Sequence, residues 1–353
     1  MSKTKRKLYL ISNMYPSPKN IRYGIFVENF VIALEDTFEI KKTVLTKKEG
    51  LNKLLGYIVF YLRILKLMFV AKKEDLIYIH YPLHVAPILC LFHRKYILNF
   101  HGSDLIFNSS FKKFLSFFLK KIIKKSAIVL PSNYYKEFFL SHFKKEPKLL
   151  LVYPSGGIDK KVFQQITSIS KPDTFVIGFV SNFIEKKGWR IWLNAIEILL
   201  KENSISNFSL RLVGDGPDKN EIIEKLEKLN TSYTLKSNLS QPELAKEYNL
   251  FDIFVFPTYR VDESLGLVGL EAMSCGVPVI ASDIGGPKGY IESGENGLLF
   301  KPKDANDLSL KIKEYFTFNA EFKSKMIASA INTAYQYDSR KVKSDIVSFL
   351  NTQ

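Results

Sequence analysis

Cysteine is nearly missing from this sequence: Cys90 and Cys275 are the only two, far apart and in no metal-ligand spacing. That excludes a disulfide framework and a thiolate zinc site, and it fits a reducing, cytoplasmic compartment. Long hydrophobic runs are missing as well. The most apolar window, residues 54–70, is interrupted by Arg63 and Lys66 and falls short of the roughly 20 residues that span a bilayer. The basic start, Met1 to Lys7, precedes only Leu8 to Ile11 before Asn13 and Pro16 intervene, too short an apolar run for a signal-peptide core. Neither a transmembrane helix nor export is expected.

Acidic residues are scarce in one half alone. Residues 1–170 carry 29 Lys and Arg against 11 Asp and Glu, whereas residues 171–353 carry 22 against 24. A bias confined to one half indicates a polyanionic partner for that half, either nucleic acid or an anionic membrane. No helix-turn-helix, zinc-finger or RNA-recognition signature accompanies the basic residues, so no nucleic-acid partner is expected. With 28 Phe and 18 Tyr in 353 residues there is ample bulk for two cores, and two domains is the expectation from length.

Short β-branched and aromatic runs recur between helical patterns: residues 7–12, 75–80, 96–101 and 127–131, then 175–181, 209–214, 252–257 and 277–282. Each is continuously apolar, as strands buried on both faces are, and their alternation with helices argues for two parallel sheets. The expected fold is α/β, with two Rossmann-like doubly wound domains facing a cleft. The expected divisions are residues 1–165, 166–335 and a C-terminal helix at 336–353. The linker stretch, residues 154–172, carries Gly156-Gly157. Ligands of such sheets sit outside the carboxyl ends of the strands, so chemistry is sought in strand-end loops.

Phe251 to Gly286 reads strand, loop, helix, strand. The helix is expected to begin near Ser264 and end near Cys275, with Gly276 at the C′ position and Pro278 preventing continuation. Its N-terminus would offer free N–H groups from Ser264, Leu265, Gly266 and Leu267, with Gly266 removing bulk where a phosphate approaches. A diphosphate would be held there without metal. Glu271 then lies among apolar neighbours, which is costly unless ribose hydroxyls or a buried salt bridge satisfy it. Glu263 is either a ligand or an ordinary acid complementing the helix dipole.

This segment resembles the signature of retaining glycosyltransferases of family four, whose fold is GT-B and whose E-x7-E motif is matched by Glu263 and Glu271, with GLVGLEAM between them and CGVPVIASDIGG after. The resemblance implies that Glu263 lies against hydroxyls of the donor sugar, that Glu271 binds the ribose, and that the helix amides hold the diphosphate. Gly24, ahead of the first helix, resembles a Gly facing the donor phosphate. His101 in NFHGSD resembles a His that contacts the donor sugar and helps stabilise the transition state. YPSGGID (153–159) is similar to the interdomain segment, and LRLVGDGPDKNEI (210–222) resembles the loop near the base. GFVSNFIEKKG (178–188) is similar to the G-R-L-x-x-x-K-G loop: Lys187 matches, but Asn182 stands at the Arg position, so Lys187 and the helix N-terminus carry more of the diphosphate charge, or Arg22 or Arg260 substitutes.

The implied reaction is sugar transfer with retention from a nucleotide diphosphate sugar, a UDP- or GDP-sugar, with no enzyme nucleophile and no metal. The opening SNMYPSPKN…GIFVENF is most similar to transferases of the teichuronic-acid and capsule type, which implies a lipid-linked or polysaccharide acceptor and a place on the inner face of the cytoplasmic membrane. Residues 111–125 (FKKFLSFFLKKIIKK) are the clearest amphipathic basic stretch. Phe111, Phe114, Leu115, Phe118, Leu119 and Ile122 share one helical face, either core or membrane contact. Lys112, Lys113, Lys120, Lys121 and Lys124 supply charge toward an anionic membrane, and residues 54–73 assist. Open alternatives are another GT-B sugar-nucleotide enzyme, an epimerase or phosphorylase, and a non-catalytic relative.

Overall fold

The computed structural model describes residues 5–20, 23–144 and 146–353. The chain divides into two compact units, residues 1–156 with 340–353, and residues 157–339. The division falls at Gly156 and Gly157, within the linker stretch but earlier than residue 165.

The first unit runs β1 (Lys7–Tyr15), α1 (Ile25–Leu34), β2 (Glu39–Thr46), α2 (Gly50–Val70), β3 (Leu76–His80), α3 (Pro82–Leu89), β4 (Ile97–Asn99), α4 (Ser110–Ile123), β5 (Ala127–Leu130), α5 (Asn133–Phe143) and β6 (Leu150–Val152). Its sheet is wholly parallel in the order β2-β1-β3-β4-β5-β6, so the strand order reverses between β1 and β3. Alternation along the strands feeds two cores. Ile11, Ile79, Leu98 and Ile128 pack with Phe60, Leu119 and Phe139 on one face, and Leu8, Leu10, Tyr78 and Val129 pack with Phe30 on the other.

The second unit runs β7 (Phe175–Asn182), a 3₁₀ turn at Glu185–Lys187, α6 (Trp189–Lys201), β8 (Phe208–Asp215), α7 (Lys219–Leu229), β9 (Tyr233–Lys236), α8 (Gln241–Tyr248), β10 (Ile253–Phe256), α9 (Leu267–Ser274), β11 (Val279–Ser282), α10 (Gly285–Lys288), β12 (Gly297–Phe300), α11 (Ala305–Thr317) and α12 (Ala320–Tyr335). The parallel order β12-β11-β10-β7-β8-β9 reverses between β7 and β10. Here Ile177, Phe179, Leu210, Ile253 and Val255 face α6, α7 and α11, while Val176, Val180, Phe254 and Phe256 face α8, α9 and α12. The last helix, α13 (Ser339–Asn351), seats Val342, Ile346 and Leu350, spaced by four, in the core of the first unit beside Phe30. Lys343 reaches Asp36 of that unit at 2.7 Å.

All eight strands expected from continuous apolar runs are present. The four that were not expected, β2, β6, β9 and β12, are the edge strands of the two sheets. β2 (EIKKTVLT) and β9 (YTLK) leave most positions partly exposed, so they lack the pattern of a strand buried on both faces.

Gly178, at the centre of β7, is fixed by packing: a Cβ there would lie 2.1 Å from Cδ2 of Phe251. Gly178→Ala is expected to cost about 1–3 kcal/mol through overpacking. The check is a lowered urea midpoint at unchanged m-value.

Candidate active site

In the second unit the loops after β7 and β10 leave the sheet on either side of the strand-order reversal, where ligands bind in doubly wound sheets. Their backbones touch. Gly188 has φ 81, and a Cβ on it would lie 1.9 Å from the carbonyl oxygen of Pro257. Only glycine permits that approach, and it sets the preceding residue, Lys187, beside the second loop. Lys187 Nζ lies 2.7 Å from Glu263 Oε2, both side chains being largely buried. Thr258 Oγ1 donates to the same oxygen at 3.1 Å. The Glu263 carbonyl accepts from the Gly286 amide at 2.8 Å, anchoring the loop to the start of α10.

The helix after this loop is shorter than expected. α9 begins at Leu267, not Ser264, with Gly266 as N-cap at φ 81. Ser264 and Leu265 belong to the loop, and Leu265 is buried. The physical reason is Gly266, whose left-handed backbone cannot lie inside a right-handed helix. A Cβ on Gly266 would also strike the Phe256 ring at 2.4 Å, so the glycine serves backbone conformation and packing rather than open space for a phosphate alone. Among the described residues no hydrogen bond uses the N–H groups of Leu267 or Val268, which stand free at the positive end of the helix. The C-terminus is a Schellman motif: the Gly276 amide bonds to Met273 O and the Val277 amide to Ala272 O, each at 3.0 Å.

Among the described residues Glu271 forms no salt bridge; it accepts the Tyr248 hydroxyl at 3.1 Å. Burial pushes its carboxyl up to about 7, the Tyr248 bond opposing the rise. Tyr248, on α8, carries no sequence signal that ties it to Glu271. Asn182 ends β7 with its side chain exposed, paired in register with Asp215. Arg260 is engaged with Asp262 at 3.1 Å. Arg22 lies outside the described residues. The loop after β8 tucks against the β7 loop through Gly214 and Gly216, whose added Cβ atoms would meet Ser181 O at 2.0 Å and Phe183 O at 2.4 Å.

In the first unit His101 follows β4. Its imidazole stacks on Tyr81 with centroids 4.6 Å apart, faces Phe26 at 4.6 Å, and lies with Nε2 at 2.9 Å from Nδ1 of His80. His80, at the end of β3, lies in no motif that ties it to His101 in the sequence. Burial drives His101 down to about 3 and His80 well below its usual range, so both are neutral at physiological pH. Tyr81 has φ 57, a costly conformation for an aromatic residue, held by its amide's bond to Asn99 O at 3.1 Å. Asp104 accepts the His101 amide at 2.9 Å, its carboxyl pushed up to about 7 by burial. Gly24 caps α1 at φ 76, where a Cβ would meet the Met14 carbonyl carbon at 2.7 Å, so this glycine too is required by the backbone.

The basic stretch packs differently from its sequence reading. On α4 the buried side is Leu115, Leu119, Ile122 and Ile123, while Phe111, Phe114 and Phe117 are exposed and Phe118 is half-buried. The apolar residues are thus split between core and solvent. Lys113, Lys120, Lys121 and Lys124 are exposed, but Lys112 is not free to face a membrane: its ammonium donates to Ser103 O at 2.8 Å. α2 exposes Leu51, Leu54, Leu55, Ile58 and Leu62. No described helix is long and apolar enough to cross a membrane.

Two doubly wound parallel sheets with these strand orders match the GT-B fold. HepE of Anabaena, solved in complex with UDP and glucose, matches with TM-score 0.74 at 18% identity over 98% of this chain and 100% of that one. Residues 160–333, within the second unit, match the family model described as glycosyl transferases group 1. An uncharacterized glycosyltransferase of Methanocaldococcus jannaschii is 28% identical over 87% of this chain and 88% of its own length. The capsular polysaccharide biosynthesis glycosyltransferase CapM of Staphylococcus aureus is 27% identical over 58% of this chain and 56% of its own length.

Since burial keeps His101 neutral, its imidazole resonances in an NMR titration are expected to stay constant between pH 5.5 and 8. A midpoint near the ordinary histidine value would contradict the buried position. Gly188→Ala, by pushing the two loops apart, is expected to lower nucleotide affinity as well as the thermal midpoint; a drop in stability alone would separate the loop contact from the site.

Proposed function

We propose that the chain is a retaining glycosyltransferase that moves a sugar from a nucleotide diphosphate sugar to a lipid-linked or polysaccharide acceptor of a cell-surface glycan. What carries this reading is the meeting of Lys187 and Glu263 at 2.7 Å just ahead of the free amides of α9, with Glu271 on the same helix. A diphosphate at these amides would draw the Lys187 ammonium from Glu263, leaving that carboxylate to accept from sugar hydroxyls. As the bond from the anomeric carbon to the diphosphate breaks, the developing charge falls on Lys187 and the α9 amides. The acceptor oxygen joins the same face of the sugar, and its proton passes to the departing phosphate oxygen. His101, being neutral, acts as a hydrogen-bonding group rather than a cation. The charge stabilisation needs no metal.

The UDP bound by HepE and the likeness to CapM support, respectively, a UDP donor ahead of a GDP donor and a capsule-type product. The exposed apolar residues of α2 and the Phe and Lys residues of α4 support a resting place on an anionic membrane, at its cytoplasmic face.

Calorimetric titration with UDP, GDP, ADP and CMP is expected to show selective binding that Glu271→Ala abolishes. Binding unchanged in that variant, or none to the wild type, would overturn the reading. Lys187→Ala is expected to lower turnover by about 10²–10³ with a smaller effect on donor affinity, because its charge acts mainly on the leaving group. EDTA should leave the rate unchanged. Ribose hydroxyls donate to the ionised form of Glu271, so donor affinity rises with pH. With the free carboxyl titrating at about 7, a nucleotide sugar, which itself does not titrate there, should bind about tenfold more weakly at pH 6 than at pH 8. Glu271→Gln should remove that slope.

A further inference from the structure

A cavity of about 410 Å³ opens in the first unit where the carboxyl end of β2 turns into α2, lined by Lys47, Lys48 and Lys53 with Tyr23 and Tyr57 as aromatic walls. The charges there are poorly compensated. Lys47 has only Glu49, at 3.9 Å and itself exposed, and among the described residues Lys48 and Lys53 form no ion pair. All three sit at or before the first turn of a 21-residue helix that has no acidic residue in that turn, the nearest carboxylate in sequence being the exposed N-cap Glu49, which also lines the cavity. The positive end of its dipole therefore repels them, and they repel one another. A glycine inside the helix accommodates this crowding: a Cβ on Gly56 would lie 3.2 Å from Cδ of Lys48, so the lysine stem crosses the helix where a side chain is missing. That glycine costs about 1 kcal/mol relative to alanine in a helix interior. Along the same helix Leu51, Leu54, Leu55, Ile58 and Leu62 face solvent.

A polyanion alone would not use the apolar stripe, and a bilayer surface alone would not need a cavity. We infer that this cavity is the subsite for the phosphate of a lipid-linked acceptor, with the exposed stripe of α2 taking the first part of its hydrocarbon. The site lies on the carboxyl edge of the same sheet as His101, the edge from which a doubly wound sheet presents its ligands. The inference rests on the acceptor reading above and names the acceptor's chemical class.

The test is co-sedimentation of the full chain with phosphatidylcholine vesicles containing either a polyprenyl monophosphate or phosphatidylglycerol, matched in surface potential. The wild type is expected to prefer the polyprenyl phosphate, and Lys48→Gln with Lys53→Gln is expected to lose that preference, by about fivefold per lysine. UDP affinity should be unchanged, an unchanged urea midpoint reports that the first unit is folded, and Lys48→Arg with Lys53→Arg should retain the preference. Equal binding of wild type to both vesicles would reduce the cavity to surface charge and overturn the inference. So would a preference that survives the Gln double variant, or inorganic phosphate binding as tightly as the lipid. A wild type that prefers the phosphate lipid but binds no nucleotide would sustain the cavity and overturn only the transferase reading.

Discussion

The approach of the Gly188 backbone to the Pro257 carbonyl joins the two loops on which the donor-side chemistry rests. One loop ends β7 and the other ends β10, adjacent strands at the place where the sheet order reverses. With no side chain at 188, Lys187 comes within 2.7 Å of Glu263, and Glu263 in turn is tied to α10 through its carbonyl. From Glu263 only three residues lead to the Gly266 cap and the unsatisfied amides of α9. A cation, a carboxylate and a helix N-terminus are thereby held together by backbone contacts, without a long-range side-chain network. Electrostatic stabilisation of this kind depends on groups fixed before the charge develops.

Within each unit, burial sets the protonation state of the candidate site groups. His101, closed in by Phe26, Tyr81 and His80, stays neutral, and Glu271, beside the Tyr248 hydroxyl, ionises only near neutrality. The Lys187 and Glu263 pair differs in kind. Each is largely buried, and each compensates the other's charge, so the pair is stable until a ligand of suitable charge competes for the lysine.

In the first unit the solvent-facing side of α2 is the exception to ordinary packing. A side chain such as Leu51 left in water forgoes roughly 1.5–3 kcal/mol of burial, and several lie along one stripe. Large contiguous apolar surfaces rimmed by charge mark interaction sites. The lysines of α4 and those at the root of α2 supply the charge. Lys112 shows why a helical wheel alone misassigns such residues: its ammonium is held by the carbonyls of Ser103 and Ile106, which no spacing within α4 discloses.

Both sheets were legible in the sequence through their interior strands, because a strand covered on both faces must be apolar throughout. The edge strands β2, β6 and β9 were not, since part of their surface meets water and their pattern weakens; β12, mostly buried, was missed as well. The spacing of Glu263 and Glu271, the loop ending in Lys187-Gly188, and the stop of α9 at Gly276 were equally legible, because they are local and carried by residue types with restricted conformations. The start of α9 lies three residues later than expected, since Gly266 takes a left-handed backbone that a right-handed helix cannot contain. The partners of Glu271 and His101, namely Tyr248 and His80, come from other elements. By itself the sequence determined the order of the interior strands, the two-unit plan and the charged residues available to the site. Which of those residues meet, which are neutral, and which side of α2 and α4 faces water were decided by tertiary structure alone, because burial and pairing depend on what packs alongside and not on neighbours in the chain.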